Sequence, residues 1–317
     1  MNRSGSGYLY IVLCALIFST MEVMLKTVSG VFAPMQITAV RFFTGGVLLI
    51  PFAVHMLRKK GETLKARDLG FFALSGFLCV VLSMVLYQMA VTHTKASVVA
   101  VIFSCNPIFV TMLARFLLHE EIRRNHIIAL ILEVLGIVII VNPLHTQLSP
   151  AGVLLSILAA VFFSLYSVVG KRASARLGGI VVTCCSFLAG GAELIALILL
   201  GRGALSSVFH AMGLDIFVNV PLFTGIPRSA LPSLFYICAV NSAAGYVCHM
   251  MAMEKTSARE ASLIFFLKPM IAPVIALIFL QEEIPLNMWL GIVCFLIGSG
   301  TAILPGLIEE RKKKANA

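Results

Sequence analysis

Long apolar segments, separated by short polar or charged connections, recur along the whole chain. Each is close to the roughly 17–25 residues that a helix needs to cross a hydrocarbon core about 30 Å thick. With Pro, Gly and charged residues as boundaries, the pattern predicts membrane-spanning helices near 8–28, 34–57, 69–92, 96–119, 125–142, 151–170, 179–201, 231–254, 258–281 and 286–305. Because most connections are short, consecutive helices run antiparallel. The longer connection, 202–230, is predicted to contain an amphipathic interfacial segment.

Composition supports a membrane environment. Hydrophobic residues make up 60% of the chain and charged residues 12%, whereas charged residues are about 25% of a typical soluble domain. The first apolar segment begins at Tyr8 and is not followed by a polar secreted domain, so it is expected to remain as the first span. The eight cysteines lie in apolar segments without metal-binding spacing, and they indicate no metal site.

The distribution of basic residues predicts the orientation. The net charge is +10, and with the N-terminus in the cytoplasm nearly all loop Lys and Arg fall on the cytoplasmic side. The opposite side holds only Lys26, Lys95, Arg202 and Arg228. We therefore expect a multi-pass protein of the bacterial inner (cytoplasmic) membrane with both termini in the cytoplasm. Nucleic acid is not an expected partner, since loop charge of this kind is an orientation signal.

The chain repeats itself. Gly45 and Gly46 fall on Gly190 and Gly191 at a shift of 145 residues, and later the segment 118–122 (LHEEI) falls on 280–284 (LQEEI) at a shift of 162. This predicts a five-helix repeat at 8–142, a second at 151–305, and a basic cytoplasmic tail at 306–317. Since five is an odd number of spans, the second repeat enters the membrane from the opposite side. The predicted fold is an all-α membrane protein with ten transmembrane helices arranged as two inverted five-helix repeats.

Short motifs occur at corresponding places in the two repeats. They are 39–43 (AVRFF), 94–97 (TKAS) with Pro107, 118–122, Thr256, 266–269 (FLKP) and 280–284. With these motifs the chain resembles the drug/metabolite transporter (DMT) superfamily, of the ten-helix type built from two EamA domains. The resemblance implies secondary transport of small metabolites, often export of amino acids or related compounds, through a central cavity lined by both repeats.

Lys268 and Asn106 are candidates for the central site. A charge at the middle of a membrane helix costs about 2.5–3.5 kcal/mol on insertion scales, so Lys268 needs a partner or a ligand. It precedes Pro269, which leaves a backbone carbonyl without its usual donor, and its repeat mate Asn106 precedes Pro107. We predict a receptor for a carboxylate or phosphate here. The alternative is a structural ion pair of Lys268 with Glu133 or Glu193.

Two arginines also lie within spans. Glu22 and Arg41 are at matching depth in the first two spans, which favours a structural salt bridge over direct contact of Arg41 with substrate. Arg115 lies about one turn from the cytoplasmic end and can snorkel, which makes it a weak site candidate.

The remaining candidates are neutral or acidic. Tyr87 and His249 are repeat mates that are predicted to line the cavity, with proton transfer by His249 as a less favoured alternative. Glu133 or Glu193 is predicted to bind a coupling proton. The interfacial residues Glu120, Glu121, Glu282 and Glu283 are predicted to be solvated helix ends, the alternative being gating or helix-cap contacts.

The sequence argues against an enzyme because it has no Walker A loop, HExxH, CxxC or GxSxG motif. No cofactor is expected. The expected partners are a small-molecule substrate and the lipid bilayer, and a homodimer is compatible with the sequence. We predict a secondary transporter that moves an amino acid or carboxylated compound by alternating access, with export favoured. The alternatives are a non-transporting receptor or a subunit of an envelope-modifying complex, and a membrane-embedded hydrolase.

Overall fold

The computed structural model describes residues 3–118, 124–141, 149–222, 224–255 and 263–315 of the chain. In these ranges every regular element is a helix. Six helices are long and apolar enough to cross a membrane, and four shorter apolar helices accompany them. The prediction of an all-α membrane protein is confirmed.

The ten spans follow the predicted order. The first five are Arg3–Ser19 with Met21–Thr27, Pro34–Lys60, Ala66–Gly76 with Phe77–Met84 and Val85–His93, Ala96–Phe103 with Asn106–Leu118, and Arg124–Val141. The second five are Pro150–Leu177, Gly179–Leu200, Leu231–Phe235 with Tyr236–Ala244 and Gly245–Lys255, Leu263–Leu280, and Leu286–Ala315. The tenth helix extends beyond its predicted end, so most of the basic tail is helical. The long connection contains the short exposed helix Ser206–Ala211.

Several spans depart from regular α-helix near their middle. The first is interrupted at Thr20, and Asn241 of the eighth span inserts there, donating to the carbonyl of Ile17 at 2.8 Å. The fourth is interrupted just before Asn106, where Pro107 has no N–H group to continue the hydrogen bonding of the preceding helix. The third and eighth spans contain π-helical segments, Phe77–Met84 and Tyr236–Ala244.

Spans that correspond to each other in the two halves make corresponding contacts. The first span packs against the eighth and ninth, and correspondingly the sixth packs against the third and fourth. The second span packs against the seventh, the fourth against the ninth and the fifth against the tenth. This pairing is the one that two related five-helix repeats would produce around a pseudo-twofold axis.

Small residues bring the third and seventh spans into backbone contact. A Cβ atom added to Gly190 would lie 2.4 Å from the carbonyl oxygen of Gly76. Small residues at helix contacts are typical of membrane proteins, in which dispersion and close approach hold helices together. Polar side chains such as Ser75, Ser83 and Gln88 are buried, whereas Phe116 and Phe279 are exposed on the outside of the bundle. That distribution suits an environment of lipid.

Candidate functional site

Lys268 and Glu22 form a buried ion pair. Lys268 Nζ lies 2.5 Å from Glu22 Oε1, and the two side chains are 2% and 1% exposed. The predicted pair of Glu22 with Arg41 is therefore wrong, because Glu22 pairs with Lys268 instead. The alternative pair of Lys268 with Glu193 is not formed, and the side chain of Glu133 lies outside what the structure describes. The reason is the packing, since the first span contacts the ninth, whereas the second span packs against the third, seventh and eighth.

Asn106 occupies the equivalent place in the first repeat and makes a neutral contact. Its side-chain amide donates to Ser164 Oγ at 2.8 Å and to the carbonyl of Ala160 at 3.3 Å. The contact joins the fourth and sixth spans, just as the ion pair joins the ninth and first. The predicted pair of one cationic and one neutral group before a proline is therefore present, but both groups are engaged by the protein itself.

Arg41 is buried, with 1% of its surface exposed. Its Nη2 donates to the sulfur of Met84 at 3.5 Å, while Nε and Nη1 have no hydrogen-bond partner in the described part of the chain. Its guanidinium carbon lies 4.4 Å from the centre of the Phe42 ring. Tyr87, Tyr246, Cys79 and Cys238 lie near enough to interact with it electrostatically, and none of these four is a carboxylate. Arg41 is thus a buried cation without an anionic partner among the described residues.

Tyr87 joins Arg41 to the ion pair. It is fully buried, and it interacts electrostatically with both Glu22 and Arg41. Lys268 Nζ lies 6.0 Å from the centre of its ring and 5.3 Å from that of Phe103, within the range of a cation–π contact. Arg41, Tyr87, Lys268 and Glu22 therefore form one cluster, which we call the central cluster.

His249 lies next to this cluster. Its ring is 6.2 Å from that of Phe18 and 6.0 Å from that of Phe265, and Phe18 also contacts Tyr246 at 5.2 Å. The Nδ1 atom is buried and has no hydrogen-bond partner within the described ranges. His249 is therefore linked to Tyr246 through Phe18, and no described contact joins it to Tyr87, its repeat mate.

Of the two predicted proton sites, the structure describes the side chain of Glu193, which is not part of the central cluster. Glu193, on the seventh span, is half-buried, and its Oε2 makes no hydrogen bond with the described residues. It forms no ion pair with Lys268 or Arg41. Glu133 and Arg115 lie on described helices, but their side chains are outside what the structure describes, and Glu120 and Glu121 lie outside the described residues. Among the residues described, no group of His, Cys, Asp or Glu side chains is placed to hold a metal ion.

Sequence reasoning missed the two π-helical segments. They occupy corresponding stretches of the third and eighth spans, and both contribute neighbours of Arg41: Cys79 and Met84 from one, Cys238 from the other. π-Helix is rare and occurs often at functional sites. The first segment is almost entirely apolar and the second contains Asn241 and Ser242, and neither pattern indicates the change in helical register.

Glu282 closes one end of the bundle. Its carboxylate accepts hydrogen bonds from the backbone amides of Ala96 at 2.8 Å and Ser97 at 3.2 Å, and from Ser97 Oγ at 2.6 Å. A residue of the second repeat thus caps the N-terminus of a helix in the first, where a negative charge is favourable. The helix-cap alternative holds for Glu282, and its prediction as a solvated helix end is wrong. Lys95 adds a hydrogen bond to the carbonyl of Glu283 at 3.0 Å.

A cavity of about 630 Å³ opens at the other end, between the third, fourth and sixth spans. Its lining residues are Lys65, Arg67, Asp68, Phe71, Leu117, Val168, Val169, Ala173 and Arg176. Arg176 forms ion pairs with Asp68 at 2.5 Å and Glu62 at 3.4 Å. No member of the central cluster is among the residues that line this cavity.

The sequence was compared with known proteins. The EamA-like transporter family matches residues 5–142 and 150–303, which correspond to the two halves of the bundle. An uncharacterized transporter of Clostridium kluyveri is 36% identical over 302 residues, covering 92% of this chain and 91% of that protein. The pseudopaline exporter CntI of Pseudomonas aeruginosa is 27% identical over 171 residues, covering 54% of this chain and 58% of the exporter.

A solved crystal structure shares the fold. It superposes with a TM-score of 0.62 at 17% sequence identity, covering 95% of this chain and 98% of the other. At this level of identity the likeness concerns the fold alone.

Proposed function

The chain belongs to the EamA-like transporter family, and we propose that it is a secondary transporter of a small carboxylated metabolite. Amino acids and simpler carboxylated compounds are the substrate classes. Transport proceeds by alternating access, with export favoured. The similarity of half the chain to an exporter supports this direction.

The observation that carries the proposal is the buried Arg41. A charge within a membrane is costly and marks a functional site by default. Two of its nitrogen atoms have no partner among the described residues, so a ligand that accepts hydrogen bonds would satisfy them. Arg41, Tyr87 and Lys268 are proposed to contact substrate, His249 to border it, and Asn106 to hold the fourth span against the sixth.

Alternating access accounts for the difference between the two ends. At one end Glu282 ties the ninth span to the fourth, while the other end has an open cavity. Two repeats related by a pseudo-twofold axis are able to exchange such states, because what is closed at one end can open at the other. The capped end is proposed to face outward and the cavity to face the cytoplasm, since three basic residues, Lys65, Arg67 and Arg176, line the cavity.

Coupling to a proton is proposed at Glu133 or Glu193. The lack of a Walker A motif argues against ATP as a direct energy source, which leaves exchange or an ion gradient. An inner-membrane location with both termini in the cytoplasm completes the proposal.

Counterflow in proteoliposomes tests this function. Liposomes are loaded with one unlabelled compound from a panel of amino acids, hydroxy acids and other carboxylates, and entry of the same labelled compound is followed without ATP. A transporter produces a transient accumulation of label that protein-free liposomes do not show. If no compound in the panel is exchanged, the transporter proposal is contradicted and a non-transporting role is favoured.

A further inference from the structure

We infer that the central site takes a substrate with one net negative charge, whose carboxylate binds Arg41. The inference rests on the proposed transport function and narrows its substrate class. It favours monocarboxylates, such as hydroxy acids, over zwitterionic amino acids of the same size. Three observations support it: the balance of the buried charges, the N–H groups of Arg41 that lack a partner among the described residues, and the π-helical segments beside Arg41.

The charge balance comes first. Three charged side chains are fully buried among those that the structure describes: Glu22, Arg41 and Lys268. Glu22 and Lys268 neutralise each other in their ion pair. Arg41 therefore leaves one positive charge in the centre of the bundle. An isolated charge in this environment is costly. A monoanion that binds Arg41 neutralises this charge, and removal of that cost contributes to the free energy of binding.

The geometry of Arg41 suits a carboxylate. Guanidinium presents its N–H groups as a planar fork that binds the two oxygens of a carboxylate in bidentate fashion. Nη2 is directed at the weak acceptor sulfur of Met84, whereas Nε and Nη1 are buried and lack a partner in the described part of the chain. The fork is thus held in place with donors still to be satisfied. Tyr87 and Tyr246, which interact with Arg41, are placed to add hydroxyl groups.

The surrounding backbone supports a ligand site rather than simple packing. Arg41 lies between the π-helical segments Phe77–Met84 and Tyr236–Ala244, one from each repeat. A π-helix has i→i+5 hydrogen bonds in place of the i→i+4 bonds of an α-helix, and it occurs often at functional sites. Both repeats therefore present irregular helices to the one cation that lacks an anionic partner among the described residues.

The same arrangement disfavours a zwitterion. The ammonium group of an amino acid would lie near Arg41 and Lys268, and it would compete with Lys268 for Glu22, the carboxylate of the central cluster, whose oxygens make no hydrogen bond with the described residues. The hydroxyl group of the corresponding hydroxy acid carries no charge and meets no such repulsion. Discrimination therefore comes from the charge of the substituent and not from its size.

The first test needs no ligand. The two buried cations are each replaced by methionine, and thermal unfolding of the native protein, Arg41→Met and Lys268→Met is followed in the same detergent. Since Arg41 has no anionic partner among the described residues, Arg41→Met is expected to raise the melting temperature by roughly 2–4 °C. Lys268→Met leaves Glu22 unpaired and is expected to lower it. If Arg41→Met lowers the melting temperature as Lys268→Met does, Arg41 is neutralised within the protein and the inference is wrong.

The second test measures charge preference. Lactate, alanine and lactamide share a carbon skeleton and carry net charges of −1, 0 and 0, and the same set is made with the skeletons of leucine and phenylalanine. The acid is expected to raise the melting temperature of native protein and of Arg41→Lys, and to lose its effect in Arg41→Met. A shift by amino acid or amide that equals that of the acid overturns the inference while leaving transport intact. If no compound shifts the melting temperature, the melting temperatures of Arg41→Met and Lys268→Met test the inference, and counterflow tests the proposed transport function.

Discussion

Lys268 contacts Glu22 across the ninth and first spans in the way that Asn106 contacts Ser164 across the fourth and sixth. The two contacts join pairs of helices that are related by the internal repeat, yet one is ionic and the other neutral. The neutral version shows that this helix contact does not require charge. The ionic version places a mutually neutralised pair beside Tyr87, which leaves Arg41 as the source of net charge in the described centre.

The ion pair is predicted to show strong coupling in a double-mutant cycle. Glu22→Gln and Lys268→Met each leave one buried charge unpaired, which costs about 3–5 kcal/mol. The double variant removes both charges and is expected to recover most of that loss. Thermal unfolding of the four proteins in detergent measures the coupling. Additive losses in the double variant would mean that the two residues act independently.

Glu282 is predicted to hold the end of the bundle closed. Glu282→Gln weakens the acceptor for the amides of Ala96 and Ser97, so hydrogen exchange of a peptide containing 96–103 is expected to rise. Glu283→Gln is the matched control, because only the backbone carbonyl of Glu283 contacts Lys95. Equal exchange in both variants would show that the carboxylate of Glu282 does not stabilise this end.

The contact between Gly190 and Gly76 is predicted to tolerate no side chain. Gly190→Ala places a Cβ atom 2.4 Å from a backbone oxygen, and overpacking of this kind costs about 1–3 kcal/mol. Gly70→Ala is the control, since a Cβ atom there meets nothing within 4 Å. The melting temperature is expected to fall for Gly190→Ala alone. Equal stability of the two variants would mean that the third and seventh spans separate freely.

Orientation is predicted to be readable by cysteine labelling from each side. Lys59 and Ser229 are exposed at opposite ends of the bundle. In right-side-out vesicles, an impermeant maleimide is expected to label Ser229→Cys and not Lys59→Cys, with the native protein giving the background from its own cysteines. Inside-out vesicles reverse the result. The opposite pattern would place the open cavity on the outer side.

Much of the fold was predictable because a bilayer imposes length and hydrophobicity on each helix. The second span was predicted at 34–57 and is the helix Pro34–Lys60, and the motif around Glu282 was found as a repeat of the motif around Glu120. Lys268 was identified as a central residue because a charge beside a proline stands out in an apolar run. These signals are local in sequence.

The partners of the charged residues were not predictable, because they depend on which helices pack together. Depth along neighbouring spans suggested that Glu22 pairs with Arg41, but the first span packs against the ninth and Glu22 meets Lys268 instead. The π-helical segments around Arg41 were invisible for a similar reason, since the register of a helix in an apolar run is set by tertiary contacts. That Arg41 has no anionic partner among the described residues becomes evident only from the packing of the spans and from the pairing of Glu22 with Lys268.

Counterflow of a labelled monocarboxylate by the native protein, Arg41→Lys and Arg41→Met, reconstituted in equal amounts, tests the central claim most directly. The account predicts transient accumulation by the native protein, a reduced but measurable accumulation by Arg41→Lys, and none by Arg41→Met, although the last protein is at least as stable as the native one. Accumulation by Arg41→Met at the native rate would contradict the claim that Arg41 binds the transported anion.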